Sequence, residues 1–320
     1  MSVERVLLLG EILKKKTNNT NKLTIKELIE RLKNEGYNVT RNTVKSDINS
    51  LIDAGYNIIE TKCRSNTSCY YYESEFSIEE CRIILDSLYS NKFIRNDYKR
   101  KIKEKILSNI SYIDRAVLRN SVITETIDTG GIDVTRNLFV LHRAIIEKKI
   151  IEFINVTRDT DKKIIEKKKV EYFIPKEIYY YNDRYYLIGF NENQEIRHYR
   201  IDRLSKIISK EFHNNNEKID LKDYGLINFD MFGAEKLERV ELKVNKNLIN
   251  SVIEKFGDRV DIHKCLEDGN GFILSTFVGI NRGLVRWILK QGSEVEVIYP
   301  EDLIEKLKVE IEKVQNLYKY

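Results

Sequence analysis

"YYYNDRYYLIGFNENQEIRHYRIDRLSKI", Tyr179 to Ile207, is the stretch on which the reading of this 320-residue chain turns. Two aromatic and aliphatic runs are separated by the turn formers Asn182 and Asp183, and a third run carries Arg197, His198, Arg200 and Arg203. Such runs, with turn residues between them, read as neighbouring strands of a small sheet. The sheet needs its apolar residues, but nothing in its folding calls for four basic groups so close together. Strand alternation places His198, Arg200 and Asp202 on one side and Arg197, Tyr199 and Ile201 on the other. Two readings are open. In the first, guanidinium forks, imidazole and tyrosine rings converge on a phosphate or nucleotide, the forks taking oxygens in pairs and the rings stacking on bases. In the second, Asp202 pairs with Arg200 or Arg203 as an ordinary surface ion pair and the tyrosines fill the core.

The flanks extend the sheet. "RNLFVLHRAIIEKK" reads as one helix, followed by "IIEFINVT", the polar turn "RDTDKK" and "IIEKKKVEYFIP". Together with the opening stretch these give five short strands after a helix, a bent sheet or partial barrel over 131–212. Residues 235–320 alternate strand, helix, hairpin across "DGNG", helix, strand and helix, as an α+β sandwich does. There Pro300 stops the last strand, and Glu301 and Asp302 favour a helix start.

The first 73 residues read as helix, helix, helix, hairpin. "VERVLLLGEILKKK" sets Val6, Leu9 and Leu13 on one face, and "NNTN" interrupts it. "TIKELIERLKNEG" opens with Thr24 and Glu27 at capping-box spacing and closes on Gly36. In "VTRNTVKSDINSLIDAG", Thr40 is the N-cap and Val44, Ile48, Leu51 and Ile52 form the inward stripe. The opposite face carries Arg41, Asn42, Lys45, Ser46 and Asn49, side chains that hydrogen-bond base edges or phosphates. "YNIIETKCRSNTSCYYY" then alternates as two strands around "RSNTS", a wing. A capped helix, a short turn, a capped polar-faced helix and a wing in one block point to duplex DNA. The candidate DNA contacts are Thr40, Arg41, Asn42, Thr43, Lys45, Ser46 and Asn49, with Lys62 and Arg64 of the wing on phosphates. A polar outer face is common to any three-helix unit, so the weight rests on the combined order. Residues 74–130 are helical in period and form a linker, with the hinge expected near Thr129–Gly131.

Bulk composition agrees with several domains. Net charge divides as 12 Lys+Arg against 9 Asp+Glu over 1–73 (+3), 10 against 9 over 74–130 (+1), 17 against 12 over 131–210 (+5) and 16 against 20 thereafter (−4). The segments expected to meet a polyanion are the basic ones. No window approaches the 18 or more apolar residues of a membrane span. The first helix carries its lysines after the apolar run, the wrong order for a secretory signal, so a cytoplasmic location is expected. Cys63, Cys69, Cys81 and Cys265 lack the paired short spacing of a zinc site and are expected to be reduced structural thiols. With four histidines, no GxSxG and no phosphate-cradling glycine loop, no catalytic residue, metal or cofactor is expected.

"RYYLIGFNENQEIRHYRIDRL" resembles the signature of the WYL-domain transcriptional regulators, a Trp-Tyr-Leu strand followed by a strand ending in an R-x-D-R element. Tyr185, Tyr186 and Leu187 stand in the three positions, a tyrosine replacing the tryptophan. "LTIKELIERL" and "VTRNTVKSDINSLIDAGYNI" are similar to the winged helix-turn-helix that precedes such domains, and "GLVRWILKQGSEVEVIYPEDLIEKL" to their C-terminal extension. The family's recognition helix often has arginine just before Asp-Ile; Ser46 stands there, which bears on the target sequence. The resemblance implies an α+β multi-domain chain: winged helix-turn-helix, helical linker, Sm-like β-barrel WYL domain and α+β extension. It implies a homodimeric transcription regulator on an inverted-repeat operator, sensing a nucleotide or single-stranded nucleic acid through Tyr186, His198, Arg200 and Arg203. The rival expectation is an RNA or single-strand binding module centred on the basic sheet.

Overall fold

The computed structural model describes residues 2–63, 66–119, 131–265 and 269–318. The chain divides into two units, 1–138 and 139–320.

In the first unit, α1 (Val3–Lys16) buries Leu9 and Leu13 as its spacing requires. A two-residue strand, β1 (Leu23–Thr24), precedes α2 (Ile25–Asn34), whose capping box closes both ways: the Glu27 N–H donates to Thr24 Oγ1 at 3.3 Å and the Thr24 N–H to the Glu27 carboxylate at 2.7 Å. Two orphan donors of the first turn are satisfied there. α3 (Arg41–Asp53) begins at the Thr40 cap and buries Val44, Ile48 and Leu51, whereas Ile52 is 42% exposed. The buried face instead takes in Asp47, whose carboxylate accepts from Arg5 Nε and Nη2 at 2.7 and 2.9 Å. A buried carboxylate needs such a bidentate partner.

The hairpin of β2 (Ile58–Lys62) and β3 (Ser68–Tyr72) follows, and β1 adds to β3 to give the order β1-β3-β2. β1 is too short to show in a two-residue alternation, so the sequence reads it only as the start of a helix. Cys63 and Cys69, expected as thiols, are joined in a disulfide across the hairpin turn, their Cα atoms 5.9 Å apart. Their six-residue separation resembles no metal pair, but the hairpin folds it back on itself. Arg64 lies outside the described residues, as do Thr129 and Gly130 of the expected hinge.

α4 (Ile78–Ser90), α5 (Asn96–Leu107) and α6 (Tyr112–Arg119) enclose Cys81, Leu85, Leu107, Ile110 and Leu118. They join the preceding helices through buried polar contacts: Asn18 Nδ2 donates to Asp114 Oδ1 at 2.7 Å, and Ser111 Oγ to Asp114 Oδ2 at 2.7 Å.

After α7 (Val134–Ile146), the second unit opens with β4 (Lys149–Arg158), β5 (Ile164–Tyr181), β6 (Arg184–Phe190), β7 (Ile196–Arg200) and β8 (Leu204–Phe212). All pairings are antiparallel in the order β7-β6-β5-β4-β8. β5 runs unbroken for 18 residues, where the sequence reads two strands. Pro175 is tolerated because the register shifts between it and Glu177, at a position where a missing N–H costs little. β7 and β8 are the two ends of this sheet and consecutive in the chain, linked by the 3-10 turn Ile201–Arg203; no ladder joins them among the described residues. The expected barrel is therefore an open five-stranded sheet. Phe153, Phe173 and Tyr199 meet edge to face at 5.0–5.8 Å beneath it.

A connecting segment holds α8 (Tyr224–Ile227) and the 3-10 turn Phe229–Met231. Then come β9 (Glu238–Asn245), α9 (Ile249–Phe256), β10 (Asp261–Cys265), β11 (Gly271–Val278), α10 (Arg282–Lys290), β12 (Val295–Tyr299) and α11 (Glu301–Leu317). The sheet order is β10-β11-β9-β12, with Leu242, Leu274, Trp287 and Leu303 in the shared core. This element order is the one read from the sequence.

Candidate functional site

Register fixes which side chains share a face of the five-stranded sheet. Tyr186 of β6 lies opposite Tyr179 of β5 and Arg200 of β7, Arg184 lies opposite Tyr181, and Ile188 opposite His198. Directly opposed residues point the same way. Tyrosines and basic groups therefore occupy one face, which answers the question raised by the sequence.

On this face Tyr186 is buried, and burial raises its hydroxyl pKa while the Arg200 and Arg184 guanidiniums oppose the rise. Arg200 donates through Nε to Asp202 Oδ1 at 3.0 Å and through Nη2 to Oδ2 at 2.7 Å, both side chains being largely shielded. The 3-10 turn after β7 makes this contact by folding Asp202 back. Arg203 has its pKa lowered, first by burial and then by Arg200, with Arg184 adding to it. Three guanidiniums thus act on one another and on Tyr186, Arg200 and Arg184 repelling Arg203 while Asp202 attracts it. An anion among them relieves that repulsion. Both sequence readings hold in part: the ion pair forms and the tyrosines pack, while three guanidiniums gather near one tyrosine.

His198 is placed differently. Its Nε2 lies 2.8 Å from the Met231 carbonyl and its Nδ1 3.0 Å from the Tyr224 hydroxyl. A carbonyl only accepts, so Nε2 carries the proton and Nδ1 accepts from Tyr224. Burial lowers the imidazole pKa and pushes Tyr224 up to about 12, which keeps the ring neutral and the phenol protonated. The structure therefore brings Tyr186, Arg200 and Arg203 together and commits both ring nitrogens of His198 to the segment 224–231. That segment is held from its other side as well. Asn281 Nδ2 donates to the Phe232 carbonyl at 2.7 Å, and a Cβ at Gly283 would stand 2.2 Å from the Phe229 oxygen. Only glycine allows so close an approach.

Arg184 belongs to the cluster and is missed by the sequence reading, although its i, i+2 relation to Tyr186 on one strand is the signal that finds it. A cavity of about 420 Å³ adjoins the same face, lined by Tyr179, Tyr181, Tyr224, Lys255 and Arg259 among others. Two of its cations are internally paired, Lys255 with Asp230 at 2.6 Å and Arg259 with Asp223.

On α3, Arg41, Asn42, Lys45, Ser46 and Asn49 are exposed, as their spacing predicts. The Thr40 and Thr43 hydroxyls bond one another at 2.9 Å and serve the helix cap. Lys62 Nζ reaches Ser68 Oγ at 3.4 Å. Between these cations sits Glu60, whose pKa is lowered first by a hydrogen bond from Ser68 and further by Tyr70, Lys45 and Lys62. Glu60 is also missed by the sequence reading, because nothing in strand periodicity shows that it meets Lys45.

Among the described residues, no group of three or more His, Cys, Asp or Glu is placed to hold a metal ion. No helix there is long and apolar enough to cross a membrane.

Comparison with known proteins identifies the two parts of the second unit. Residues 136–208 match the WYL domain, and residues 236–315 match the WCX domain. The chain thus carries both. Among solved structures it is similar to proteasome accessory factor B/C (PafBC) of Arthrobacter aurescens, with 14% identity over 99% of this chain and a TM-score of 0.28; the chain spans 49% of that protein's length. It is also similar to a CRISPR Cas-related protein, with 14% identity over 98% of this chain and 85% of that one, and a TM-score of 0.39. The comparison with curated proteins found no match.

Proposed function

We propose that the chain is a ligand-responsive transcription regulator acting as a homodimer in the cytoplasm and catalysing no reaction. Residues 1–73 serve as a winged helix-turn-helix on duplex DNA, with α3 in the major groove and the β2–β3 hairpin as the wing. The homodimer sets two such helices about one DNA turn, roughly 34 Å, or a multiple of it apart, and so selects an inverted repeat. The WYL sheet is the sensor, taking a nucleotide or a short single-stranded nucleic acid.

The observation that carries this reading is the gathering of Arg184, Arg200 and Arg203 near Tyr186, with Asp202 paired to Arg200. A phosphate accepts paired guanidinium donors and a base stacks on tyrosine, so the cluster suits a ligand with both parts. Sensing further requires that the ligand bind the two DNA-binding arrangements with different affinity.

The test is a calorimetric titration of the full-length chain with nucleotides and short single-stranded DNA. Beside it runs a salt-titrated duplex assay on DNA from upstream of its own coding region and on a scrambled duplex. Sequence-dependent duplex binding that shifts when the anion is added is expected. Exposed Lys167, Lys168 and Lys169 on β5 favour the rival reading of an RNA or single-strand binding module. Tight single-strand binding with no duplex preference decides for that rival.

A further inference from the structure

We propose that Cys63 and Cys69 form a thiol–disulfide exchange site whose redox state sets the affinity of the wing for duplex DNA. This rests on the reading of α3 and the hairpin as the DNA-binding surface.

The two sulfurs sit in unlike surroundings. Cys69 is fully buried on the central strand of its sheet, opposite Thr24 on one side and Thr61 on the other. Cys63 is half-buried at the start of the turn, where its N–H donates to the Thr67 carbonyl and its carbonyl accepts from Asn66, each at 2.9 Å. The disulfide therefore ties Cys63, at the start of the turn, to the middle strand of the sheet. Ser68 stands next to Cys69 in the chain and organises the charged groups of this surface: its hydroxyl bonds Glu60 and lies 3.4 Å from Lys62 Nζ. Fixing the tip thus fixes which charges the wing presents, and how Glu60 stands toward Lys45.

The exchange balances with any small-molecule thiol as co-reactant. A thiolate attacks the accessible Cys63 sulfur; the electron pair of the broken S–S bond leaves on Cys69 Sγ, which takes a proton. A second thiolate attacks the added sulfur of the mixed disulfide, and Cys63 leaves as thiolate and is protonated. Two thiols are oxidised to one disulfide while the protein disulfide is reduced to two cysteines. A small-molecule disulfide such as oxidised glutathione reverses the sequence.

The direction follows from chain entropy. Without the bond the loop between Cys63 and Cys69 has more conformations open to it, and fixing it on DNA reduces affinity. The closed tip is ordered beforehand.

The experiment compares the full-length chain treated with dithiothreitol or with oxidised glutathione. Differential alkylation with peptide mass mapping reads the bond; Cys81, buried and free, is the internal unreactive control. Duplex affinity is measured on both forms and on Cys63→Ser. The expected result is a reversible Cys63–Cys69 bond and duplex binding about three- to tenfold tighter in the oxidised form. Cys63→Ser is expected to match the reduced form under either treatment. Equal affinity of the two wild-type forms overturns the proposal and leaves DNA binding standing. Absence of the bond after oxidation, or a Cys63→Ser chain that still responds, overturns it as well. If neither form binds duplex while the bond is present, the DNA-binding reading fails and the proposal fails with it.

Discussion

The face of α3 and the face of the WYL sheet both gather basic side chains, and they do so in opposite ways. On α3 the polar side chains stand in solvent, backed by the buried stripe Val44, Ile48 and Leu51. On the sheet, Arg200 is braced by Asp202, Tyr186 is buried, and Arg203 has its pKa lowered by burial and by its neighbours. A mobile set of charges suits a polyanion that supplies the geometry itself, where affinity comes from released counterions. A braced, desolvated set suits a small anion that must be oriented. One set of basic groups stands in solvent, while the other is braced within its own sheet.

The comparison breaks first at Arg200. Arg200→Ala removes a fork from the preformed site and is expected to weaken anion binding about 10- to 100-fold, a charge-assisted pair being worth about 1.5–3 kcal/mol. Thermal unfolding and duplex affinity without ligand are expected to stay near wild type. Calorimetry that finds the variant binding nucleotide as wild type does removes the sensor assignment. On α3 the effect is smaller and of another kind. Lys45→Ala is expected to weaken duplex binding several-fold, uniformly across sequences, and to lower the slope of log affinity against log salt by about 0.9. An unchanged slope takes Lys45 out of the phosphate contacts.

The two surfaces also differ in how far the sequence discloses them. Caps, terminal glycines and helical spacing are local, so α2 and α3 and their exposed faces are legible residue by residue. The open sheet is legible as five strands, yet not in its long β5, because Pro175 reads as a break until the register shift beside it is known. The site divides along the same line. Arg200 follows from alternation along its strand, whereas Tyr186 and Arg203 come from the resemblance to the WYL signature, Arg203 standing in the turn beyond the strand. The partners of His198 do not, since Tyr224 and Met231 come from a segment 26 and 33 residues further on, with no periodicity linking them. Cys63 and Cys69 mislead for a related reason: spacing argues against a metal, but only the hairpin brings the sulfurs together.

Glu60 sharpens the comparison from the opposite sign. It is a carboxylate influenced by both Lys45 and Lys62, and hydrogen bonds from Ser68 and Tyr70 favour its ionised form. If the proposed DNA-binding reading holds, a carboxylate there repels the backbone and tempers non-specific binding. Glu60→Gln keeps the shape and removes the charge, so it is expected to tighten binding to scrambled duplex about two- to threefold. Unaltered or weaker binding in that assay shows that the hairpin does not approach the phosphates.

The smallest expected effect separates His198 from its basic neighbours. Its pKa is lowered by burial and by Arg197, against the hydrogen bond to Met231, so the folded chain binds fewer protons than the unfolded one below the ordinary imidazole value of about 6.5. Stability contributed by neutral His198 is therefore present above that pH and declines as pH falls through it toward the lowered folded value. His213, also lowered by burial and by Lys176 and Lys148, acts in the same direction. The contributions part in His198→Gln, which cannot titrate: its thermal midpoint is expected to fall less steeply than wild type between pH 7 and pH 5, by the His198 share alone. A variant with the full wild-type acid slope means that His198 is not held neutral by Tyr224 and Met231, and that it joins the charged cluster beside Arg200 after all.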